Sequence, residues 1–133
     1  RQELEPDLLA ALEKIRWAEH LVWVHPVWWG GLPALMKGFV DRLFLPTIAF
    51  KYRENSVYWD KLFAGKTARI ITTLDQPGWY YRLMYGRPSV NQLRKSILEF
   101  CGIRPVKVSY VGTVRNSTEA QRIQWINRIH ELG

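Results

Sequence analysis

Residues 21–44 read LVWVHPVWWGGLPALMKGFVDRLF, and the order of chemistry along them decides the architecture. Leu21 to Pro26 is short, apolar and rich in Val and Trp, and a proline ends it. That is the composition of a parallel strand covered on both faces. The chain then turns through Val27-Trp28-Trp29-Gly30-Gly31. Beyond the turn, Leu32, Leu35, Met36, Phe39, Val40 and Leu43 recur at helical spacing, with Lys37, Asp41 and Arg42 opposite. Pro33 suits a first helical turn. Gly38 inside such a helix costs about 1 kcal/mol relative to alanine, which predicts that something approaches the backbone closely there.

Outward from this strand-turn-helix unit the alternation continues. Upstream, Leu8, Ala11, Leu12, Ile15 and Ala18 predict a helix over 6–18. Downstream, the stretch from Pro46 to Gly65 carries Phe50, Tyr52, Tyr58, Trp59 and Phe63 without periodicity and reads as a functional loop. Thr67 to Leu74 (TARIITTL) is a second strand, closed by the turn cluster Asp75-Gln76-Pro77-Gly78. An aromatic segment, Trp79 to Tyr85, ends at Gly86. Ser89 is placed to cap a helix that turns Val90, Leu93, Ile97, Leu98 and Cys101 inward, with Gly102 as its left-handed C-terminal residue. Pro105 to Gly112 alternates as an edge strand does. Asn116 with Glu119 predicts the start of a last helix whose buried stripe is Ala120, Ile123, Ile126 and Ile129. Strands alternating with helices call for a parallel sheet with right-handed crossovers.

Composition narrows the class. The chain has 133 residues, 47% hydrophobic, 23% charged and 14% aromatic, enough for one core and too apolar for a disordered tail. One cysteine, Cys101, forms no internal disulfide, and no Cys/His spacing suits a metal, so a reducing, cytoplasmic setting is expected and no metal is assigned. Cys101 itself reads as an inert core thiol. No apolar run is long enough to span a bilayer, and residues 1–20 carry no secretion signal. A net charge of +7 favours an anionic ligand, an acidic partner or lipid headgroups, but the basic residues are dispersed and no nucleic-acid module accompanies them. His25 reads as a strand-end histidine satisfied by backbone, His20 and His130 as solvated, and Lys37–Asp41 as an i,i+4 pair.

In open parallel sheets ligands bind at the carboxyl ends of the strands, where loops diverge and helices begin. Two loops here qualify: Pro26 to Gly31, and Thr72-Thr73-Leu74-Asp75-Gln76-Pro77-Gly78-Trp79-Tyr80. Adjacent Trp28 and Trp29 cannot both point inward from one strand, so at least one is free to meet a ligand. Together the loops offer rings, hydroxyls and backbone N–H groups to a flat heteroaromatic molecule.

The stretch His25 to Phe44, with Pro26, Trp29, Pro33, Lys37-Gly38, Asp41-Arg42 and Phe44 in that order, closely resembles the flavodoxin-like NAD(P)H dehydrogenase (quinone) family and its bacterial relatives. The resemblance extends through Ala49-Phe50-Lys51-Tyr52, Thr72-Thr73, Tyr80 and Phe100-Cys101-Gly102. It implies a flavodoxin-like three-layer α/β sandwich, of which this chain supplies the third, fourth and fifth strands of the order 2-1-3-4-5 as a single domain lacking its N-terminal part. The first-strand phosphate loop is not in the sequence, which begins Arg1-Gln2-Glu3-Leu4-Glu5-Pro6, like the interior of a longer chain. Neither is a match to the histidine that accompanies the active-site tyrosine in mammalian members; Tyr85-Gly86-Arg87 stands there.

By the same resemblance the protein is a homodimeric oxidoreductase that takes hydride from NAD(P)H on FMN, or FAD, and passes two electrons to a quinone or similar flat acceptor. Pro26, Val27, Trp28, Trp29 and Gly30 would lie along the flavin ring, with Thr72, Thr73, Leu74 and Asp75 on its other side. Tyr80 would be the active-site donor. Phe50, Tyr52 and Trp79 would bind substrate, the first two across the dimer. A non-catalytic module of the same fold, regulating a membrane transporter or another partner, is the alternative.

Overall fold

The computed structural model describes residues 3–132. Its centre is a three-stranded, all-parallel sheet made of β1 (His20–Pro26), β4 (Thr67–Leu74) and β5 (Val106–Gly112), in the order β1-β4-β5. Adjacency and direction agree with the third, fourth and fifth strands of the expected sheet. The connections run through α2 (Ala34–Leu43), then a hairpin of β2 (Phe50–Tyr52) and β3 (Trp59–Lys61). After β4 come α3 (Gly78–Leu83) and α4 (Pro88–Asn91), which continues unbroken as a π-helical stretch, Gln92–Glu99. Helices α1 (Pro6–Trp17) and α5 (Glu119–His130) flank the set. No helix among the described residues is long and apolar enough to cross a membrane.

One face of the sheet carries the core. Trp23 of β1, Ala68 and Ile70 of β4 and Val106 of β5 pack against Leu12 and Ile15 of α1, Val40 and Leu43 of α2, and Leu93 and Leu98 of the π-helical stretch. Burial of these aliphatic and aromatic side chains, each contributing about 1.5–3 kcal/mol, drives the assembly. Trp23, Phe44 and Phe63 are linked ring to ring through tilted and edge-on contacts at 6.1 and 5.6 Å. Cys101 is buried there, and desolvation pushes its thiol up to about 12, which bears out an inert core role.

The second face is thinly covered, and here the structure corrects the sequence reading. β1 is a sheet edge with alternating burial: Trp23 and His25 point inward, while Val22 and Val24 are exposed. Among the described residues nothing covers the face that Val22 and Val24 present. The isoleucine stripe of α5 is not buried either. Ile123 and Ile126 are exposed, and only Trp125 and Ile129 are half-buried, beside Ser109 and Val111 of β5. The α5 cap sits two residues later than expected. Thr118 and Gln121 form a reciprocal capping box, with the Thr118 N–H donating to Gln121 Oε1 at 2.9 Å and the Gln121 N–H to Thr118 Oγ1 at 3.2 Å.

Four further expectations change. Leu35 is exposed because it falls outside the arc that Val40 and Leu43 define. A side chain at Gly38 meets nothing, so no close approach explains that glycine. Ser89 lies inside α4, buried, and Arg87, in a left-handed conformation, precedes the helix. The loop at 46–65 holds the β2–β3 hairpin, with Arg53 pairing to Asp60 at 2.6 Å. Trp59 stacks on Phe100 at 4.4 Å and donates its indole N–H to the Phe100 carbonyl at 2.9 Å, which seats the hairpin on the end of the π-helical stretch.

Gly102 ends that stretch with φ +99, as the sequence predicts, and a Cβ there falls 2.8 Å from Lys61 Cβ and 3.0 Å from the Ala64 backbone. Gly102→Ala is expected to lose about 2–4 kcal/mol, from left-handed strain plus overpacking, read as a lower urea midpoint with an unchanged slope.

His25 yields a second prediction. Desolvation holds its imidazole below the ordinary value of 6.5, and the Pro26 carbonyl beside it pulls more weakly the other way. The native state therefore binds fewer protons than the unfolded chain, so this stability is complete above about pH 6.5 and is lost as pH falls below it. The wild-type urea midpoint is expected to drop between about pH 7 and 5, and the difference from His25→Phe to shrink over the same interval.

Candidate functional site

The register of β1 against β4 brings the two strand-end loops together. His25 lies opposite Thr72 and Pro26 opposite Thr73, and one further bond, from the Val27 N–H to the Thr73 carbonyl at 2.9 Å, carries the ladder past the strand end. Trp28-Trp29-Gly30-Gly31 then folds back on itself. The Trp28 and Gly31 N–H groups donate to each other's carbonyls at 3.2 and 2.9 Å, with φ +51 at Trp29 and +74 at Gly30. Positive φ at both central residues makes this a type I′ turn, which prefers Asn-Gly. A tryptophan in the left-handed region is strained by roughly 1–2 kcal/mol, and Trp29 is wholly exposed at 106%. Trp28 is exposed as well.

Tyr81 holds the turn in place. Its ring is completely buried, and its hydroxyl lies 2.6 Å from Ser89 Oγ and 3.4 Å from the Gly30 carbonyl, to which the Ser89 N–H also donates at 3.1 Å. Neither Tyr81 nor Ser89 was identifiable as a clamp from sequence. Within the aromatic run 79–81, only the phase of the six-residue helix α3 separates the buried ring from its neighbours.

Between the turn and the end of β4 opens a cleft of about 360 Å³ lined by Val27, Trp29, Gly30, Leu74, Asp75, Gln76 and Tyr85. Five of the expected site residues, Val27, Trp29, Gly30, Leu74 and Asp75, therefore share one wall-to-wall space. The N–H groups of Trp29, Gly30, Asp75 and Gln76 donate no hydrogen bond among the described residues. They form a donor set at the lip, and such N–H groups suit the polar edge of a flat heterocycle.

The other expected residues are distributed around it. Pro26 and Thr73 are half-buried at the strand ends, and the Thr73 carbonyl is engaged by Val27. Thr72 is fully buried, so its hydroxyl faces the interior and not the cleft. Tyr80 is half-buried, edge-on to Tyr85 at 5.8 Å and to exposed Trp79 at 5.7 Å; Tyr85, not Tyr80, reaches the lining. Phe50 is in the core, and Tyr52 is exposed; both line a separate groove with Phe44, Ile97 and Phe100. Gln76, within the second strand-end loop, and Tyr85, at the end of the aromatic segment, complete the cleft.

Electrostatics at the rim are mild. Asp75 is exposed and accepts the Arg115 N–H at 3.2 Å, and Lys37 pairs with Asp41 at 2.6 Å on the outer face of α2. Tyr110, under α3, has a pKa raised by burial, while the charge and proximity of Arg87 pull it down. No group of three or more metal-ligating side chains occurs among the described residues.

Comparison with known proteins adds four findings. The rat NAD(P)H dehydrogenase (quinone) 1 is 26% identical over 137 residues, covering 97% of this chain and 49% of that protein. The chain thus spans about half the length of that relative. Among solved structures, Smu.1420 from Streptococcus mutans UA159 superposes with a TM-score of 0.83 at 29% identity, covering 96% of this chain and 66% of the other. An FMN-dependent NADH-azoreductase from Bacillus anthracis, solved with FMN, shares the fold at a TM-score of 0.69 and 19% identity, covering 92% of this chain and 61% of that one. The profile of the family described as having a flavodoxin-like fold matches residues 1–132, and the chain belongs to that family.

Proposed function

We propose that this chain carries the ring-binding part of an NAD(P)H-dependent flavin oxidoreductase that passes two electrons to a quinone or similar flat acceptor by ping-pong hydride transfer. The observation that carries the reading is the cleft itself, lined by residues of two loops whose N–H groups have no partner among the described residues, together with an exposed indole. Its chemistry suits an isoalloxazine, whose carbonyls and ring nitrogens accept hydrogen bonds along one edge and whose face stacks. FMN is the preferred cofactor, with FAD the larger alternative; the azoreductase with the same fold carries FMN.

The bound flavin supplies hydride acceptance and donation; the protein supplies position and polarity. Trp29 covers one face of the ring. The N–H groups of Trp29 and Gly30, and those of Asp75 and Gln76, hold its edge and favour negative charge developing there. Pro26, Val27, Trp28, Thr73 and Leu74 shape the walls, and Thr72 supports them from below. Tyr80, edge-on to Tyr85 and Trp79, would serve as the donor, and exposed Trp79 would meet the acceptor. With a flavin bound, the remaining space would take nicotinamide and acceptor in turn, the rings of the cleft holding each flat. In sum, NAD(P)H gives hydride, water gives a proton, and the quinone leaves as the quinol. We further propose a homodimer in which Tyr52, backed by core-anchored Phe50, closes over the partner's slot.

Purified protein titrated with FMN should quench flavin fluorescence and turn yellow, and NADH or NADPH should bleach it under nitrogen. Protein that stays colourless with excess FMN sinks the reading and favours a non-catalytic module. Trp29→Asn separates the two roles of that residue. It is expected to raise folding stability by about 1 kcal/mol, because Asn-Gly fits the turn, and to weaken FMN binding about three- to tenfold by removing the stack.

A further inference from the structure

His25, the last residue but one of β1, is 3% exposed. Its Nδ1 lies 3.0 Å from the Pro26 carbonyl, which only accepts, so Nδ1 carries the proton. Burial disfavours a second proton, which leaves Nε2 a bare lone pair. No donor reaches it. Opposite His25 in the ladder stands Thr72, 0% exposed, whose Oγ1 is also unpartnered. Register partners in a parallel sheet share a face, and adjacent strands run about 4.8 Å apart. The structure therefore puts a buried acceptor and a buried donor, each without a partner among the described residues, on register-paired residues of adjacent strands.

Interior polar groups in this condition are met by ordered water, which takes a proton from one neighbour and gives one to another. Tyr110, next in the row as the partner of Thr72, has the second unpartnered hydroxyl, and Arg87 lies near enough to it to lower its pKa.

We infer that one internal water bridges His25 Nε2 and Thr72 Oγ1, and that through this bridge His25 acts as the positioning residue of the cleft. The water accepts the Thr72 O–H and donates to Nε2, so the ring is fixed from both sides. Its Nδ1–H then holds the Pro26 carbonyl, and the peptide that follows launches the Trp28–Gly31 turn. The bridge belongs to the ligand-free chain; only its effect on cofactor affinity rests on the flavin reading.

Nuclear magnetic resonance of the nitrogen-labelled full chain, without ligand, tests it. His25 should be in the Nδ1–H form with a slowly exchanging ring proton, and that ring should show a magnetisation-transfer contact to a long-lived water. Thr72→Val, close in shape but lacking the hydroxyl, should lose the water contact, speed exchange of the ring proton at least about tenfold and shift the Trp29 indole resonance, while Thr72→Ser restores all three. In FMN titrations Thr72→Val should bind about threefold or more weakly, and Thr72→Ser within about twofold of wild type. A proton on Nε2, the lack of any water contact, or a Thr72→Val spectrum matching wild type would overturn the inference. Failure of the wild type to bind FMN would count against the flavin reading alone, because the tautomer and the water are read without it.

Discussion

The parallel pairing of β1 with β4 is the constraint on which the site depends. Side chains in a strand alternate with period two, so a one-residue slip would send Trp23 and His25 to the open face and Val22 and Val24 into the core. The hydrophobic bulk of Trp23, packed with Phe39 and Phe44, makes that slip costly. With register fixed by the core, the loops after Pro26 and after Leu74 have to leave at one rim. The cleft is thus a consequence of the register that core packing imposes, carried past the strand ends by the Val27 N–H to Thr73 carbonyl bond.

What the register delivers, the turn then shapes. Left-handed backbone at a tryptophan persists only where the surroundings over-determine it. Here Tyr81 and Ser89 supply that determination: both reach the Gly30 carbonyl from a buried position, so turn, α3 and α4 are tied at one oxygen. The strain and the clamp together hold an indole out in solvent, where apolar burial alone would draw it in. A ring presented this way serves a ligand better than it serves the fold, and this separation of interests is why stability and affinity should move in opposite directions at that position.

Much of this arrangement was legible in the sequence because it is written in local chemistry. The strands at 20–26 and 67–74, helix α2 with its Lys37–Asp41 pair, and the left-handed Gly102 each follow from periodicity, proline or glycine. The two ligand loops followed from the strand ends. What escaped depends on distance in space. The hairpin at 50–61 has three-residue strands, too short to show alternation, and is held by Phe100, some forty residues later. The α5 isoleucines have helical spacing but no sheet surface beneath them among the described residues, and amphipathic pattern states only which face is apolar, not whether anything meets it.

Tyr80 and Tyr81 show the limit most sharply. They are the same side chain in consecutive positions, and helical geometry turns them about 100° apart. That rotation sends one hydroxyl to Ser89 in the core and leaves the other ring at the rim against Tyr85. Composition identifies an aromatic cluster beside a strand end; it does not assign which ring is structural, because Trp79, Tyr80 and Tyr81 are all aromatic and two of them are the same residue type. The assignment is made by Leu74 and Val90, whose buried surfaces pack with Tyr81 and so fix the phase of a helix too short to fix its own. Which of the two tyrosines stands at the rim is in this sense decided by two aliphatic residues of the buried cluster, Leu74 and Val90.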